Sequence, residues 1–141
     1  MPVDVKYTSS ATASGGRDGG ARTDDGKLVV ELSVPEELGG PGGPGTNPEQ
    51  LFAAGYAACF LGALKAAGRE LKLTVPSDAK VTAEVGIGHR SEGGFGITAR
   101  LSVHLPGVEN NDAERLMTAA HGICPYSNAT RNNVDVRLSL V

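Results

Sequence analysis

The stretch Gly39–Leu64 reads GGPGGPGTNPEQLFAAGYAACFLGAL, and it decides the fold of this chain. The glycines and prolines at its start cannot form a helix or a central strand, because proline lacks a backbone N–H and clashes inside a helix. The following residues, Thr46–Glu49, have the spacing of a capping box and place a proline in the first turn. We therefore predict a helix from about Asn47 to about Arg69. Its middle is apolar nearly all round, which predicts burial on every side.

Alternation of apolar and polar residues predicts strands on both sides of this helix. Two long strands, one with Val81–Ile87 and one with Phe95–Val103, are joined by the turn residues Ser91–Gly94, which predicts an antiparallel hairpin. The other predicted elements are strands at 3–8 and 28–34 in a hairpin-like unit, a helix at 110–121 ended by Gly122, a helical turn at 127–131 and a strand at 134–140. This order predicts an α+β fold with antiparallel sheet.

Length and composition restrict the class of protein. With 141 residues the chain has the size of one domain, and we predict a single domain over residues 1–141. The formal net charge of −3, without a basic run, argues against nucleic acid as a partner. The longest apolar run is too short to cross a bilayer and no signal peptide pattern is present, so we expect a cytoplasmic protein without a membrane partner. In that compartment a transient catalytic disulfide is a better interpretation than a permanent one.

The long apolar helix also predicts a partner chain. A helix that is apolar all round, laid on an antiparallel sheet, leaves one face uncovered in so small a domain, and a second copy is the simplest cover. Gly55 and Gly62 lie on one face of the helix and predict the close approach of another backbone. We therefore expect a homodimer.

Cys59 and Cys124 are the two cysteines of the chain, and their pattern leaves two interpretations open. Cysteine is among the most buried residue types, so both thiols can be inert core residues. A reactive thiolate at Cys59 needs a cation from elsewhere in the fold, since no basic residue lies close to it in sequence. Arg17, in a glycine-rich loop, and Glu49, at the helix start, are ordinary by themselves: a solvated arginine and a capping carboxylate.

Other motifs do not support a site. Gly40–Gly45 matches the glycine pattern of a dinucleotide site, but its two prolines remove donors that a pyrophosphate needs. His121 and Cys124 have the spacing of metal ligands without a second close ligand pair. The chain contains no G-x-S-x-G motif, so nothing indicates a serine hydrolase.

Three segments, GGRDG at Gly15–Gly19, ELGGPGGPGTNPEQLFAAGYAACFLGAL at Glu37–Leu64 and CPYSNATR at Cys124–Arg131, carry a family resemblance. In combination they resemble the organic hydroperoxide resistance proteins, the Ohr subfamily of the OsmC/Ohr thiol peroxidases. The resemblance covers essentially the whole chain. It implies antiparallel sheets wrapped around a long buried central helix, in an intertwined homodimer.

The resemblance also implies a chemistry, the reduction of organic hydroperoxides to alcohols. Cys59 matches the peroxidatic cysteine, which becomes a sulfenic acid, and Cys124 matches the resolving cysteine, which forms a disulfide with it. Arg17 matches the arginine that lowers the Cys59 pKa and polarises the peroxide, and Glu49 matches the glutamate that orients this arginine. The implied reductant is a dithiol, dihydrolipoamide or a lipoylated protein, and no metal or tightly bound cofactor is implied. Apolar neighbours of Cys59 in sequence favour an organic hydroperoxide over hydrogen peroxide.

The spacing of Glu49 and Cys59 leads to a sharper hypothesis. About ten residues of straight helix separate them by roughly 15 Å of rise, so Glu49 cannot help organise Cys59 on one unbroken helix. We therefore expect two antiparallel copies of this helix to pack together, with Glu49 of one subunit serving Cys59 of the other. The alternatives are an OsmC-type peroxidase with a broader peroxide range, a non-catalytic dimer that binds an apolar small molecule, and a dimer tethered by a disulfide or a metal.

Overall fold

A three-stranded antiparallel sheet forms the first of two compact units in a computed structural model that describes residues 2–141. This unit comprises the described residues up to Pro48. Its strands are β1 (Ala11–Ser14), β2 (Gly20–Thr23) and β3 (Val29–Glu31), in the order β1-β2-β3.

The N-terminal hairpin-like unit was predicted from the wrong strands. Residues 3–8, predicted as a strand, lie outside the sheet, and Val3, Val5 and Tyr7 are 77%, 65% and 79% exposed. The predicted strand at 28–34 is shortened to β3, and the sheet gains β1 and β2 instead. A strand requires a neighbouring backbone to bond with, and β1 and β2 supply one another although neither shows apolar alternation.

The loop between β1 and β2 carries Arg17 in a single turn of 3₁₀ helix, Gly16–Asp18. Gly15 and Gly16 have φ angles of 77° and 72°, a region that side chains disfavour. A Cβ added at Gly19 would collide with the carbonyl oxygen of Ser14. The glycines around Arg17 are therefore required by the backbone path, and that path fixes where the arginine leaves the sheet.

The backbone of Leu32 joins this loop to the segment before the long helix. The Leu32 N–H donates to the Gly19 carbonyl at 2.9 Å, and Leu32 forms a parallel bridge with Thr46. A Cβ at Gly45 would lie 2.6 Å from the Leu32 carbonyl carbon, so the returning chain can pass here only as glycine. The Arg17 loop and Thr46 are thus both fixed to one short stretch of backbone.

The predicted helix is present in the second unit as α1 (Pro48–Leu71). Its fully buried side includes Tyr56, Phe60 and Leu64, whereas Ala54, Ala58 and Gly62 on the opposite side are exposed. Burial on every side is therefore wrong for the single chain. By length and composition, α1 is the one helix within residues 2–141 that could cross a membrane, but a core helix meets the same test. Packing of Phe60 and Leu64 in the core is the arrangement of such a core helix.

The predicted hairpin is confirmed as β4 (Lys80–His89) and β5 (Phe95–His104). Its antiparallel register pairs Val81 with Val103 and Ile87 with Ile97, so the apolar residues share one face. Ala99, Leu101 and Val103 are buried in the same core cluster as α1. Alternation fixes this register, because a slip of one residue would expose the apolar set.

The remaining elements complete a three-stranded sheet in the order β4-β5-β6. They are α2 (Asn110–Ile123), α3 (Pro125–Thr130) and β6 (Val136–Leu140). The predicted inner face of α2 is confirmed, with Ala113, Leu116, Met117 and Ala120 buried, although the helix continues one residue beyond Gly122. The α+β class is confirmed. However, β6 runs parallel to β5, because the connection through α2 and α3 returns the chain to its starting end.

The structure contains one chain, so the intertwined homodimer stays a prediction. The single domain over residues 1–141 also stays a prediction.

Core packing gives a first testable expectation. Leu101→Ala removes a fully buried side chain from the central strand and should lower the free energy of unfolding by about 2–5 kcal/mol. Arg100→Ala, on the exposed face of the same strand, is the matched control and should change it by less than about 0.5 kcal/mol. Urea unfolding monitored by circular dichroism measures both. Equal effects of the two variants would contradict the assigned sheet register.

Candidate active site

Two cysteine thiols meet between α1 and the junction of α2 with α3. The sulfur atoms of Cys59 and Cys124 are 3.4 Å apart, and both thiols are free. A disulfide requires about 2.0 Å between sulfurs, so a small movement together with a two-electron oxidant would form one. The fold therefore brings together two residues that lie 65 positions apart in the sequence.

Cys124 is held by its position between two helices. Its backbone is extended, with φ −62° and ψ 123°, so it ends α2 and begins α3. The Cys124 N–H donates to the Ala120 carbonyl at 2.8 Å, and its carbonyl accepts from the Asn128 N–H at 3.0 Å. Pro125 follows at the first helical position, where its missing N–H costs nothing. Both helices thus fix a thiol that is fully buried.

Burial is the largest influence on the Cys59 thiol and raises its pKa above the ordinary value. A hydrogen bond from the Tyr126 backbone N–H acts in the opposite direction, while the hydrogen bond and the charge of Cys124 raise the pKa further. This direction is opposite to the one that the family resemblance led us to expect for Cys59. In this chain the neutral thiol is the favoured form near neutral pH, so a reactive Cys59 requires an additional stabiliser of its thiolate.

Arg17 and Glu49 lie in different parts of the chain. Arg17 is half-buried in the 3₁₀ turn of the first unit, and Glu49 is half-buried in the first turn of α1. Helix α1 continues without a break from Glu49 to Cys59, so the rise of roughly 15 Å between them holds. The assignment of Arg17 and Glu49 to the site, and the service of Cys59 by a partner's Glu49, stay predictions.

An aromatic cluster of Phe52, Tyr56 and Tyr126 lies beside the thiols. The Tyr126 ring centroid is 5.9 Å from that of Phe52 and 5.7 Å from that of Tyr56. Phe52 and Tyr126 line an open groove of about 800 Å³, together with residues of the β4–β5 turn, of β5 and of the segment that follows Tyr126. The groove thus has apolar and polar walls, with Phe95 and Ile97 beside Arg90 and Glu92, and Tyr126 connects it to Cys59 through its backbone N–H.

Gly55 allows the Tyr126 ring to approach α1. A Cβ at Gly55 would lie 2.9 Å from the Tyr126 hydroxyl oxygen and 3.2 Å from a ring carbon. The predicted approach of another backbone at Gly55 and Gly62 is wrong within this chain, because a side chain approaches Gly55 and nothing lies within 4 Å of a Cβ at Gly62.

Four side chains near the thiols form a hydrogen-bonded cluster that the sequence patterns did not indicate. The Tyr56 hydroxyl lies 2.8 Å from the Ser127 hydroxyl and 3.3 Å from that of Thr130, and His121 Nδ1 lies 2.9 Å from Ser127. Burial, and then the charge of Arg131, lower the His121 pKa, so its ring is neutral near pH 7. The one available signal was Tyr56 itself, because a tyrosine inside an apolar helix needs a partner for its hydroxyl.

His121, considered above as a metal ligand with Cys124, thus bonds to Ser127 instead. Within residues 2–141, no three or more His, Cys, Asp or Glu side chains are grouped so that they could hold a metal ion.

Comparison with known proteins identifies the class of this fold and site. The family profile described as OsmC-like protein matches residues 40–139. The organic hydroperoxide resistance protein of Xanthomonas axonopodis pv. citri is 53% identical over 99% of this chain and 97% of its own length.

Solved structures agree. An organic hydroperoxide resistance protein from Legionella pneumophila superposes with a TM-score of 0.91 at 48% identity, over 97% of this chain and 98% of that chain. The protein OhrB of Bacillus subtilis superposes with a TM-score of 0.86 at 43% identity, over 96% of this chain and 98% of that chain. The chain therefore belongs to the OsmC-like family, in its subfamily of organic hydroperoxide resistance proteins.

The close contact at Gly55 gives a second prediction. Gly55→Ala pushes the Tyr126 ring away from α1 and should lower the free energy of unfolding by about 1–3 kcal/mol. It should also change the rate at which iodoacetamide alkylates Cys59 in a Cys124→Ser background, because the Tyr126 N–H bonds to that thiol. Gly122→Ala, at an exposed position of α2 where nothing lies within 4 Å of the added Cβ, is the matched control and should be neutral or stabilising by up to about 1 kcal/mol. A destabilisation by Gly122→Ala equal to that by Gly55→Ala would count against this packing.

Proposed function

We propose that the protein is a thiol peroxidase that reduces organic hydroperoxides to alcohols, with Cys59 as the peroxidatic and Cys124 as the resolving cysteine. The observation that carries this proposal is the 3.4 Å separation of the two free sulfur atoms. The groove beside Tyr126 and Phe52 offers an apolar surface to the organic part of a hydroperoxide. Membership of a family named for organic hydroperoxide resistance agrees with peroxide detoxification.

The reaction proceeds in three balanced steps. The Cys59 thiolate attacks the distal peroxide oxygen, the O–O bond breaks, and the departing alkoxide takes a proton to leave as an alcohol. Cys124 then attacks the sulfur of the Cys59 sulfenic acid, which forms the disulfide and releases water. An external dithiol, dihydrolipoamide or a lipoylated protein, reduces the disulfide and restores both thiols. No metal or tightly bound cofactor is needed in these steps.

Arg17 is the cation that we assign to the Cys59 thiolate. Burial disfavours the charged thiolate, so the first step needs a positive charge to offset that effect. The glycines that hold the Arg17 backbone support this role, because they fix the starting point of a long side chain. Glu49 orients the arginine through a charge-assisted pair, and we propose that it comes from a second subunit. The proposed functional unit is accordingly a homodimer. We place it in the cytoplasm.

A thiol count after one equivalent of cumene hydroperoxide tests the peroxidase. The wild type should lose two thiols, Cys124→Ser should lose one, and Cys59→Ser should lose none. The reason is that Cys59 reacts with the hydroperoxide, whereas Cys124 reacts only with the oxidised Cys59. A non-reducing gel should show no covalent dimer. Loss of no thiols in the wild type would favour a protein that binds an apolar molecule with inert cysteines. An intermolecular disulfide would favour a tethered dimer.

The same count with hydrogen peroxide separates the subfamilies. We expect slower thiol loss than with cumene hydroperoxide, since an apolar site gains more from an organic group. Equal rates would instead favour an OsmC-type peroxidase of broader range.

Removal of the proposed cation should change the titration of Cys59. In a Cys124→Ser background, Arg17→Ala should raise the Cys59 pKa by about 1–3 units, measured by the ultraviolet absorbance of the thiolate. Peroxide consumption should then be slow below the raised pKa, where the thiol is protonated, and should recover as the pH rises through it. Arg22→Ala, an exposed arginine on β2, is the matched control. An unchanged Cys59 pKa in Arg17→Ala would exclude Arg17 as the stabilising cation.

A further inference from the structure

The hydrogen bond between Tyr56 and Ser127 joins the same two helices as the thiol pair. Tyr56 precedes Cys59 by one helical turn on α1, and Ser127 follows Cys124 by about one turn on α3. The two hydroxyl oxygens are 2.8 Å apart, and the two sulfurs are 3.4 Å apart. The two helices thus make two side-chain contacts with each other, one between the cysteine sulfurs and one between the hydroxyl groups.

This hydrogen bond is shielded from water. Tyr56 and Ser127 are fully buried, and Thr130 is 3% exposed. Thr130 donates its hydrogen to the Ser127 carbonyl at 3.2 Å, and the Ser127 hydroxyl bridges Tyr56 and His121. Every buried side-chain oxygen and nitrogen within residues 2–141 has a partner. Loss of the Tyr56 or the Ser127 hydroxyl breaks the bond between α1 and α3 at this point, while the remaining hydroxyl keeps another partner, His121 for Ser127 and Thr130 for Tyr56.

Helix α3 depends on such contacts for its position. It contains six residues, and helices of that length are not stable by themselves. The Tyr56 hydroxyl attaches α3 to α1, and a bond of 2.6 Å from Arg131 to the His121 carbonyl attaches its end to α2. Cys124 precedes α3 directly and accepts from the Asn128 N–H, so the position of α3, together with that of α2, sets where the Cys124 sulfur lies.

We propose that Tyr56 and Ser127 are positioning residues for the resolving step, in which Cys124 attacks the oxidised Cys59. This inference rests on the proposed peroxidase function. In that step a sulfur–sulfur bond forms, the sulfur–oxygen bond of the sulfenic acid breaks, and the hydroxide leaves as water with the proton of the Cys124 thiol. The distance between the two sulfurs must fall from 3.4 Å to about 2.0 Å. The hydrogen bond between Tyr56 and Ser127 favours this approach, because it holds α1 and α3 side by side.

A competing reaction makes this role measurable. A second hydroperoxide molecule can transfer its oxygen to the Cys59 sulfenic acid, giving a sulfinic acid and a second alcohol. The fraction of Cys59 that ends as sulfinic acid therefore rises when Cys124 attacks the sulfenic acid more slowly. At a fixed hydroperoxide concentration this fraction depends on the ratio of the second oxidation to the resolving step and not on the rate of the first oxidation.

The experiment compares Tyr56→Phe and Ser127→Ala with the wild type. With one equivalent of cumene hydroperoxide, the first oxidation of Cys59 should stay within about twofold, while disulfide formation should slow by about tenfold. With excess hydroperoxide, mass spectrometry should show a corresponding rise in the sulfinic acid of Cys59. Tyr7→Phe, which removes the same atom from an exposed tyrosine, should behave as the wild type. Ser127→Thr, which keeps the hydroxyl, should restore most of the disulfide rate.

The outcomes separate this inference from the proposed function. Disulfide formation at the wild-type rate in both variants would overturn the positioning role, as would equal slowing of the first oxidation and the resolving step. A wild-type protein whose thiols do not react with hydroperoxide would overturn the proposed function instead. If Tyr56→Phe does not fold, Ser127→Ala carries the test, because it leaves the Tyr56 hydroxyl its contact with Thr130.

Discussion

Burial of the Cys59 thiol is the constraint on which the proposed chemistry depends. The apolar side of α1 and the neighbouring Cys124 make the neutral thiol the favoured form, yet a peroxidase needs the thiolate. The fold supplies one backbone N–H, from Tyr126, that opposes this tendency. Cys59 is only half-buried, but its raised pKa still means that the proposed mechanism needs a charged partner for the thiolate. The conflict between partial burial and a charged nucleophile explains why a cationic side chain on a glycine-rich loop belongs to the proposed mechanism.

The sequence predicted the elements whose cause is local. Helix α1 was predicted to within two residues because its cap, first-turn proline and apolar run are all contiguous. The β4–β5 hairpin was predicted because alternation and a turn define it. The strands β1 and β2 were missed, since small residues form them only through pairing with each other. Parallel pairing of β6 depends on the path of α2 and α3, which no single segment encodes.

The residues of the candidate site were likewise predictable only in part. Cys59, Cys124, Arg17 and Glu49 were named through family resemblance, because spacing in sequence says nothing about contact between distant cysteines. The structure supplies the 3.4 Å contact between the sulfurs. Partnership of Tyr56 with Ser127 could not be predicted, since it requires the register of two helices that are far apart in the chain. Tyr56 signalled only that a partner had to exist.

The path of the chain through the thiol pair has a consequence for synthesis. Cys59 leaves the ribosome well before Cys124, and the β4–β5 hairpin and α2 must form in between. Until they do, each thiol meets solvent alone, and a passing oxidant finds no neighbour to complete a disulfide. The contact between the two sulfur atoms is thus acquired only when the later half of the core closes.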